Sequence, residues 1–369
     1  MVHDYFTQMG GAEKVAEELY HLLPGADLFA TVALRDKMPE SLRDVPITTS
    51  WMQNLPRMRD LYRLYFPLYP LAVSSLDLSQ YDLVVSSSSG YVKGVRVAAD
   101  AIHVCYCHTP MRWVWNFDNY SSRESFAGGV KAVLPTLIRA LRIWDESAAR
   151  QPDHFVANSQ TVATRIKRTY GRSAEVIFPP IDIHRFRVSP EQDDYYIVLA
   201  RLVPYKRIDL AVSACTKLGR KLIVIGSGPA LEGLKKEAGE SIHFVGRTSD
   251  AEVEKYVSHC RALIFPGEED FGMAPVEVAA AGRPTIAYRA GGAAETIIEN
   301  VTGVFFEEQT TDDVVAAIER FEQQEWSARA IRKHAEGFST EVFNDKFAAF
   351  LRKVGAPIDA YRRLPRAAA

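Results

Sequence analysis

The chain has 369 residues, 47 % of them hydrophobic and 24 % charged, with a formal net charge of −2. That length suits two cores of roughly 150–200 residues better than one. The composition excludes a disordered chain, and the balanced charge lacks the basic excess of nucleic-acid binders. No apolar run reaches the about 18 residues that a spanning helix needs, and no charged-then-apolar leader opens the chain, so a soluble, cytoplasmic protein is expected.

Taken in chain order, only Met1-Val2 precedes His3-Asp4, so the first strand is expected to be a stub. Gly10-Gly11-Ala12-Glu13 then opens a helix over 11–23, whose Val15, Leu19, Leu22 and Leu23 form one stripe. Paired glycines let the backbone pass close to a ligand, and a helix N-terminus offers N–H groups to a phosphate; a plain strand-to-helix turn is the other reading. Strands are predicted at 27–34, 81–86, 101–107 and 154–158, with helices at 131–150 and 160–170. Between 51 and 71, Arg57, Arg59 and Arg63 stand among Trp51, Tyr62, Tyr65, Phe66 and Tyr69. This stretch suits a membrane surface or an anionic lipid-linked acceptor, or else a helix pair on the sheet with solvated arginines. Cys105 and Cys107, two apart, fall on one face of a strand and are not spaced as a zinc pair; with Cys215 and Cys260 they read as reduced thiols. His108-Thr109-Pro110 ends that strand, where a histidine can hydrogen-bond a sugar hydroxyl, although most lone histidines are structural. Arg112, Trp113, Trp115 and Asn116 follow, as a platform for a sugar face or as core.

Residues 179–194 hold three prolines and read as an interdomain linker. Beyond it, strands are predicted at 195–200, 221–225, 242–245, 262–265 and 285–287, with helical patterns after nearly every one. Such alternation builds parallel sheets from βαβ units. Two domains are expected, at 1–182 and 183–345, with 346–369 a helix and tail returning to the first. Arg201 and Lys206 leave the first of these later strands, placed to grip a diphosphate or to serve as ordinary surface charges. Gly226-Ser227-Gly228-Pro229 follows the second strand, where open sheets bind ligands. The most specific feature is Glu269-Asp270-Phe271-Gly272-Met273-Ala274-Pro275-Val276-Glu277. Its first glutamate lies in a loop and its second in a helix that Pro275 helps to start and Gly282 ends. Gly272 permits a tight turn whose amides face a phosphate. A carboxylate accepts two hydroxyls at once, so this spacing suits both ends of a nucleotide sugar. Gly291-Gly292 with Glu295 repeats the theme. No Asp-x-Asp follows a strand to hold Mg²⁺, so no metal is expected.

Together these residues resemble the retaining glycosyltransferases of family 4, the group 1 enzymes with the GT-B fold, from His3 to about Leu351. Cys107-His108-Thr109-Pro110-Met111-Arg112-Trp113 is similar to a subgroup of bacterial O-antigen mannosyltransferases. The resemblance implies an α/β architecture of two Rossmann-like, doubly wound parallel-sheet domains facing a cleft. It implies that Arg201 and Lys206, with the Gly272 amides, hold the donor diphosphate; that Glu277 accepts the ribose hydroxyls and Glu269 those of the sugar; and that His108 contacts the sugar. Gly11, Gly226, Gly228, Phe271, Met273 and Ala274 would line the donor, and Gly10, Arg112 and Trp113 the acceptor. The implied reaction moves a hexose, mannose from GDP-mannose, to a glycan or lipid-linked acceptor in polysaccharide or O-antigen synthesis. It proceeds with retention, without metal or bound cofactor, with a peripheral contact through 51–71 at the inner face of a membrane. A UDP-sugar donor, a nucleotide-sugar epimerase and a non-catalytic sugar-nucleotide-binding subunit are the rival readings.

Overall fold

The computed structural model describes residues 1–115 and 128–358, the side chains of 128–133 excepted. Asn116 and the tail residues 359–369 lie outside the described residues. Met1–Pro180, joined by the chain from Phe343 onward, forms one compact unit, and Ile181–Val342 forms a second.

In the first unit the strands are β1 (Val2–Phe6), β2 (Leu28–Ala33), β3 (Ile47–Thr49), β4 (Asp77–Leu78), β5 (Leu83–Ser88), β6 (Arg96–Val97), β7 (Ile102–Cys107), β8 (His154–Ala157) and β9 (Ala174–Val176). Among the described residues they form a parallel sheet of order β3-β2-β1-β5-β7-β8-β9, with β4 and β6 paired separately. The strand order reverses between β1 and β5, and ligands bind open sheets at such a switch point. Side chains alternate across β7: Val104 and Tyr106 join the core of Phe6 and Leu19, while Cys105 and Cys107 share the opposite face with Phe155, Val162 and Ile166. All four cysteines are buried and unbridged. Phe343, Phe347, Phe350 and Leu351, from the helix Thr340–Lys353, belong to the same core as Phe6.

The expected stub at the start is overturned. β1 runs five residues, straight through His3-Asp4, and pairs with β2 on one side and β5 on the other. Its polar residues are buried and satisfied: the Asp4 carboxylate accepts from the backbone of Ser89, Tyr91 and Val92 at 2.5, 2.8 and 2.8 Å. The Gly10-Gly11 turn is therefore anchored on a full strand, and Gly11–Leu22 follows as a helix.

The second unit holds β10 (Tyr196–Leu199), β11 (Leu222–Ile225), β12 (Ile242–Gly246), β13 (Leu263–Phe265), β14 (Thr285–Tyr288) and β15 (Gly303–Phe306). Their order, β12-β11-β10-β13-β14-β15, repeats the doubly wound plan, with its reversal between β10 and β13. Both sheets thus show the two-domain α/β architecture expected from the sequence. Residues 181–194 do not hang loose. Ile183 and Phe186 are buried, and the Arg332 guanidinium donates to their carbonyls at 2.8 and 2.9 Å.

Candidate functional site

In the second unit the loops after β10 and β13, the strands flanking the reversal, carry the strongest candidates. Lys206 Nζ stands 2.6 Å from Glu269 Oε1, and both side chains remain partly open, at 16 % and 22 % exposure. Small residues make this approach possible. A Cβ on Gly267 would lie 2.7 Å from Lys206 Cα, closer than real carbons come. Gly292 donates its N–H to the Glu269 carbonyl at 2.9 Å, and a Cβ there would fall 2.2 Å from Phe271 Cα. The Gly226–Pro229 turn presses on the exit of β10 in the same way: Leu202 N–H donates to Ser227 O at 3.0 Å, and Ala230 N–H to Leu202 O at 3.1 Å. Four strand-end loops, after β10, β11, β13 and β14, are therefore packed backbone to backbone around Lys206 and Glu269.

Arg201 is exposed at the end of β10. Glu277 is half-buried on the helix Met273–Ala280, which begins directly after Gly272 in the left-handed region at φ +80°. Met273 and Ala274 form its first turn, half-buried, so their backbone amides belong to the positive end of a helix dipole. The Phe271 ring is 3 % exposed and packs on Phe338, so that residue offers a ligand only its backbone.

In the first unit, His108 closes β7 with 8 % exposure. Its Nε2 lies 2.8 Å from Ser87 Oγ, and its ring meets Tyr106 edge-on at 5.2 Å. Ser87 Oγ is in turn 3.0 Å from His3 Nδ1. Burial holds the His3 imidazole down to about 4, against the opposing pull of Asp4. Gly10 and Gly11 sit at the start of the first helix, Gly11 exposed.

The residues after His108 are tied into the first unit by ring and hydrogen-bond contacts. Trp113 packs against Phe66 and Tyr91 at centroid distances of 5.0 and 6.5 Å, and Trp115 Nε1 donates to Asp145 Oδ2 at 2.7 Å. Arg112 is half-buried in the same turn. Asp145, fully buried, also accepts from Tyr170 OH at 2.7 Å and pairs with buried Lys93, which donates to Gly90 O. Burial alone would depress the Lys93 ammonium; Asp145 outweighs it, and the net shift is upward. Neither Lys93 nor Asp145 stood out in the sequence, because only the fold joins them.

Between 51 and 71 the packed and the exposed residues separate. Met52, Met58 and Tyr69 are core, whereas Trp51, Leu64 and Leu71 are exposed at 42, 69 and 62 %. Arg59 makes a bidentate pair with Asp36; Arg57 and Arg63 are exposed. Among the described residues no helix is long and apolar enough to cross a membrane.

Residues 181–338 match the family of glycosyl transferases group 1, and residues 9–185 match glycosyltransferase family 4. The chain belongs to the GT-B glycosyltransferases. The chain is 24 % identical over 220 residues, 58 % of its length, to an uncharacterized glycosyltransferase of Methanocaldococcus jannaschii, covering 62 % of that protein. It is 28 % identical over 192 residues, 43 % of its length, to a GDP-mannose-dependent α-(1-6)-phosphatidylinositol monomannoside mannosyltransferase of Mycobacterium tuberculosis, covering 50 % of it. The chain thus spans about half to three-fifths of these curated relatives. Among solved structures, the fold is similar to Anabaena HepE in complex with UDP, with a TM-score of 0.71 at 18 % identity, over 95 % of this chain and 99 % of that one. It is also similar to sucrose-phosphate synthase from Thermosynechococcus elongatus, with a TM-score of 0.70 at 15 % identity, over 96 % and 99 %.

Proposed function

We propose that this chain transfers a hexose from a nucleoside-diphosphate sugar to a glycan or lipid-linked acceptor, with retention and without a metal. The observation that carries the reading is the Lys206–Glu269 pair at the reversal of the second sheet, 2.6 Å apart and partly open to solvent. Breaking the bond between the anomeric carbon and the diphosphate builds negative charge on the leaving group. Lys206, Arg201 and the amides after Gly272 stabilise that charge, a contribution that fixed donors of this kind make at about 10²–10³ in rate each. Glu269 receives sugar hydroxyls and Glu277 ribose hydroxyls. His108 serves the transferred sugar, and Gly10 and Gly11 the acceptor or diphosphate. The acceptor oxygen attacks from the face that the diphosphate leaves, which preserves the configuration.

GDP-mannose is the donor favoured by the mannosyltransferase relative, and a UDP-sugar by the UDP held in the structural neighbour. A thermal-shift panel of GDP-, UDP- and ADP-sugars decides between them, since the bound donor stabilises the native state by mass action. Transfer is tested by product analysis with and without acceptor, and the anomeric configuration of the product by NMR. Release of sugar or its epimer from donor alone, with no transfer to any acceptor, rejects the reading. A peripheral contact of the acceptor side with an anionic membrane surface is part of this reading, supported by the exposed Trp51, Leu64 and Leu71 in the same segment as Arg57 and Arg63. Co-flotation with anionic vesicles tests that part.

A further inference from the structure

His3, Ser87 and His108 form a buried chain of hydrogen bonds whose proton positions follow from the chemistry of its members. The His3 Nδ1 atom lies 3.2 Å from the Ser87 carbonyl oxygen and 3.0 Å from Ser87 Oγ. A carbonyl oxygen only accepts, so His3 Nδ1 carries a proton and donates. A hydroxyl has one hydrogen to give. Ser87 Oγ, already receiving from His3, directs its own to the partner 2.8 Å away, His108 Nε2. That nitrogen is then the lone-pair acceptor, and the proton of neutral His108 sits on Nδ1.

The sheet holds this geometry from both sides. His3 and Ser87 face each other directly in the register of β1 with β5, and the backbone N–H of His108 donates to Ser88 O at 2.9 Å. The next residue on β1, Asp4, fixes the backbone of Ser89, Tyr91 and Val92. All three members of the chain are at most 8 % exposed, so water does not compete for these bonds. We infer that Ser87, aligned by His3, is a positioning residue that holds His108 as the Nδ1–H tautomer and so presents a hydrogen-bond donor, not an acceptor, at that nitrogen. This rests on the reading that His108 serves the transferred sugar; a donor at Nδ1 suits a hydroxyl oxygen or a leaving oxygen that gains charge.

The full chain labelled with ¹⁵N-histidine tests the inference by NMR, with the His108 signals assigned through His108→Gln. In the wild type, Nε2 of His108 should resonate as an unprotonated ring nitrogen and Nδ1 as a protonated one. Ser87→Ala should convert it to a mixture of tautomers and lower kcat about tenfold, the worth of one neutral hydrogen bond, with nucleoside-diphosphate affinity unchanged. Ser87→Thr, which keeps the hydroxyl, should restore both. His3→Asn, whose amide can donate near the Nδ1 position, should retain the tautomer, and His3→Leu should lose it. A wild-type His108 protonated at Nε2, or a Ser87→Ala chain that keeps both tautomer and kcat, overturns the inference. The tautomer is read without turnover, so absence of sugar transfer with the expected spectrum would reject the transferase reading and leave the relay standing.

Discussion

Lys206 and Glu269 are joined at 2.6 Å from loops that leave two neighbouring strands, β10 and β13, on either side of the point where the strand order reverses. In the proposed reaction an incoming diphosphate would compete with Glu269 for the Lys206 ammonium. Glu269→Gln is therefore expected to tighten binding of the free nucleoside diphosphate by roughly tenfold, about 1.4 kcal/mol, while abolishing most sugar transfer. Lys206→Ala should lower kcat by about 10²–10³. Isothermal titration with the diphosphate, beside turnover of the intact donor, measures both. Weaker diphosphate binding by Glu269→Gln would remove the competition from the account.

Gly292→Ala tests the interlocked loops. The added methyl would stand 2.2 Å from both Cα and O of Phe271, backbone atoms that have no rotamer to yield. A cost of about 1–3 kcal/mol is expected from this overpacking, together with displacement of the Glu269 loop. Urea unfolding should show the lowered midpoint and titration the weakened donor. A variant of unchanged stability and affinity would mean that the loop is not held there.

Lys93→Met should be among the most destabilising single changes in the first unit. It leaves Asp145 as a buried carboxylate without its cation, a loss of about 3–5 kcal/mol. Replacing both partners, Lys93→Met with Asp145→Leu, should recover part of that loss, because no charge then stays buried, although Trp115 and Tyr170 lose their acceptor. Chemical denaturation of the two single variants and the double variant gives the coupling directly. Strict additivity would contradict it.

Acid should weaken the fold through two histidines. Burial depresses both His3 and His103 to about 4, from 6.5 for a free imidazole, with Asp4 and Asp153 opposing only in part. Between pH 6.5 and 4 the unfolded chain takes up protons that the folded chain refuses, so stability falls as pH drops through that window; above it these groups contribute nothing. The slope is at most about 1.4 kcal/mol per pH unit for each. Denaturation midpoints across pH 4–8 should show the decline, and His103→Asn should shallow it. An unchanged slope in that variant would exclude His103 as a source.

Much of the second unit was legible because its chemistry constrains residue types: Gly272 caps the helix Met273–Ala280 in the left-handed region at φ +80°, and Lys206 meets Glu269. β1 was misread for the opposite reason. His3 and Asp4 look like loop residues, and only the Ser87–Val92 segment, brought beside them by the parallel pairing, turns them into interior. β5 was cut short at Ser86 on the same grounds, since nothing local shows that Ser86 and Ser87 have histidine partners. Trp113 was ambiguous because an aromatic ring serves a core and a sugar face equally well, and its neighbours, the rings of Phe66 and Tyr91, come from distant segments of the chain. The strands β3, β9 and β15 were not expected from the sequence.

The first unit takes its last core residues from the far end of the chain: Phe343, Phe347 and Leu351 lie among Phe6, Leu19 and Tyr106. The second unit is one uninterrupted stretch, Ile181–Val342. During synthesis on the ribosome, the half begun first must therefore wait for the segment made long after it, and the half begun later can finish sooner. Stopping translation at Val342 should yield a chain whose leading half exposes an aromatic-lined gap and is captured by chaperones, while its trailing half resists protease.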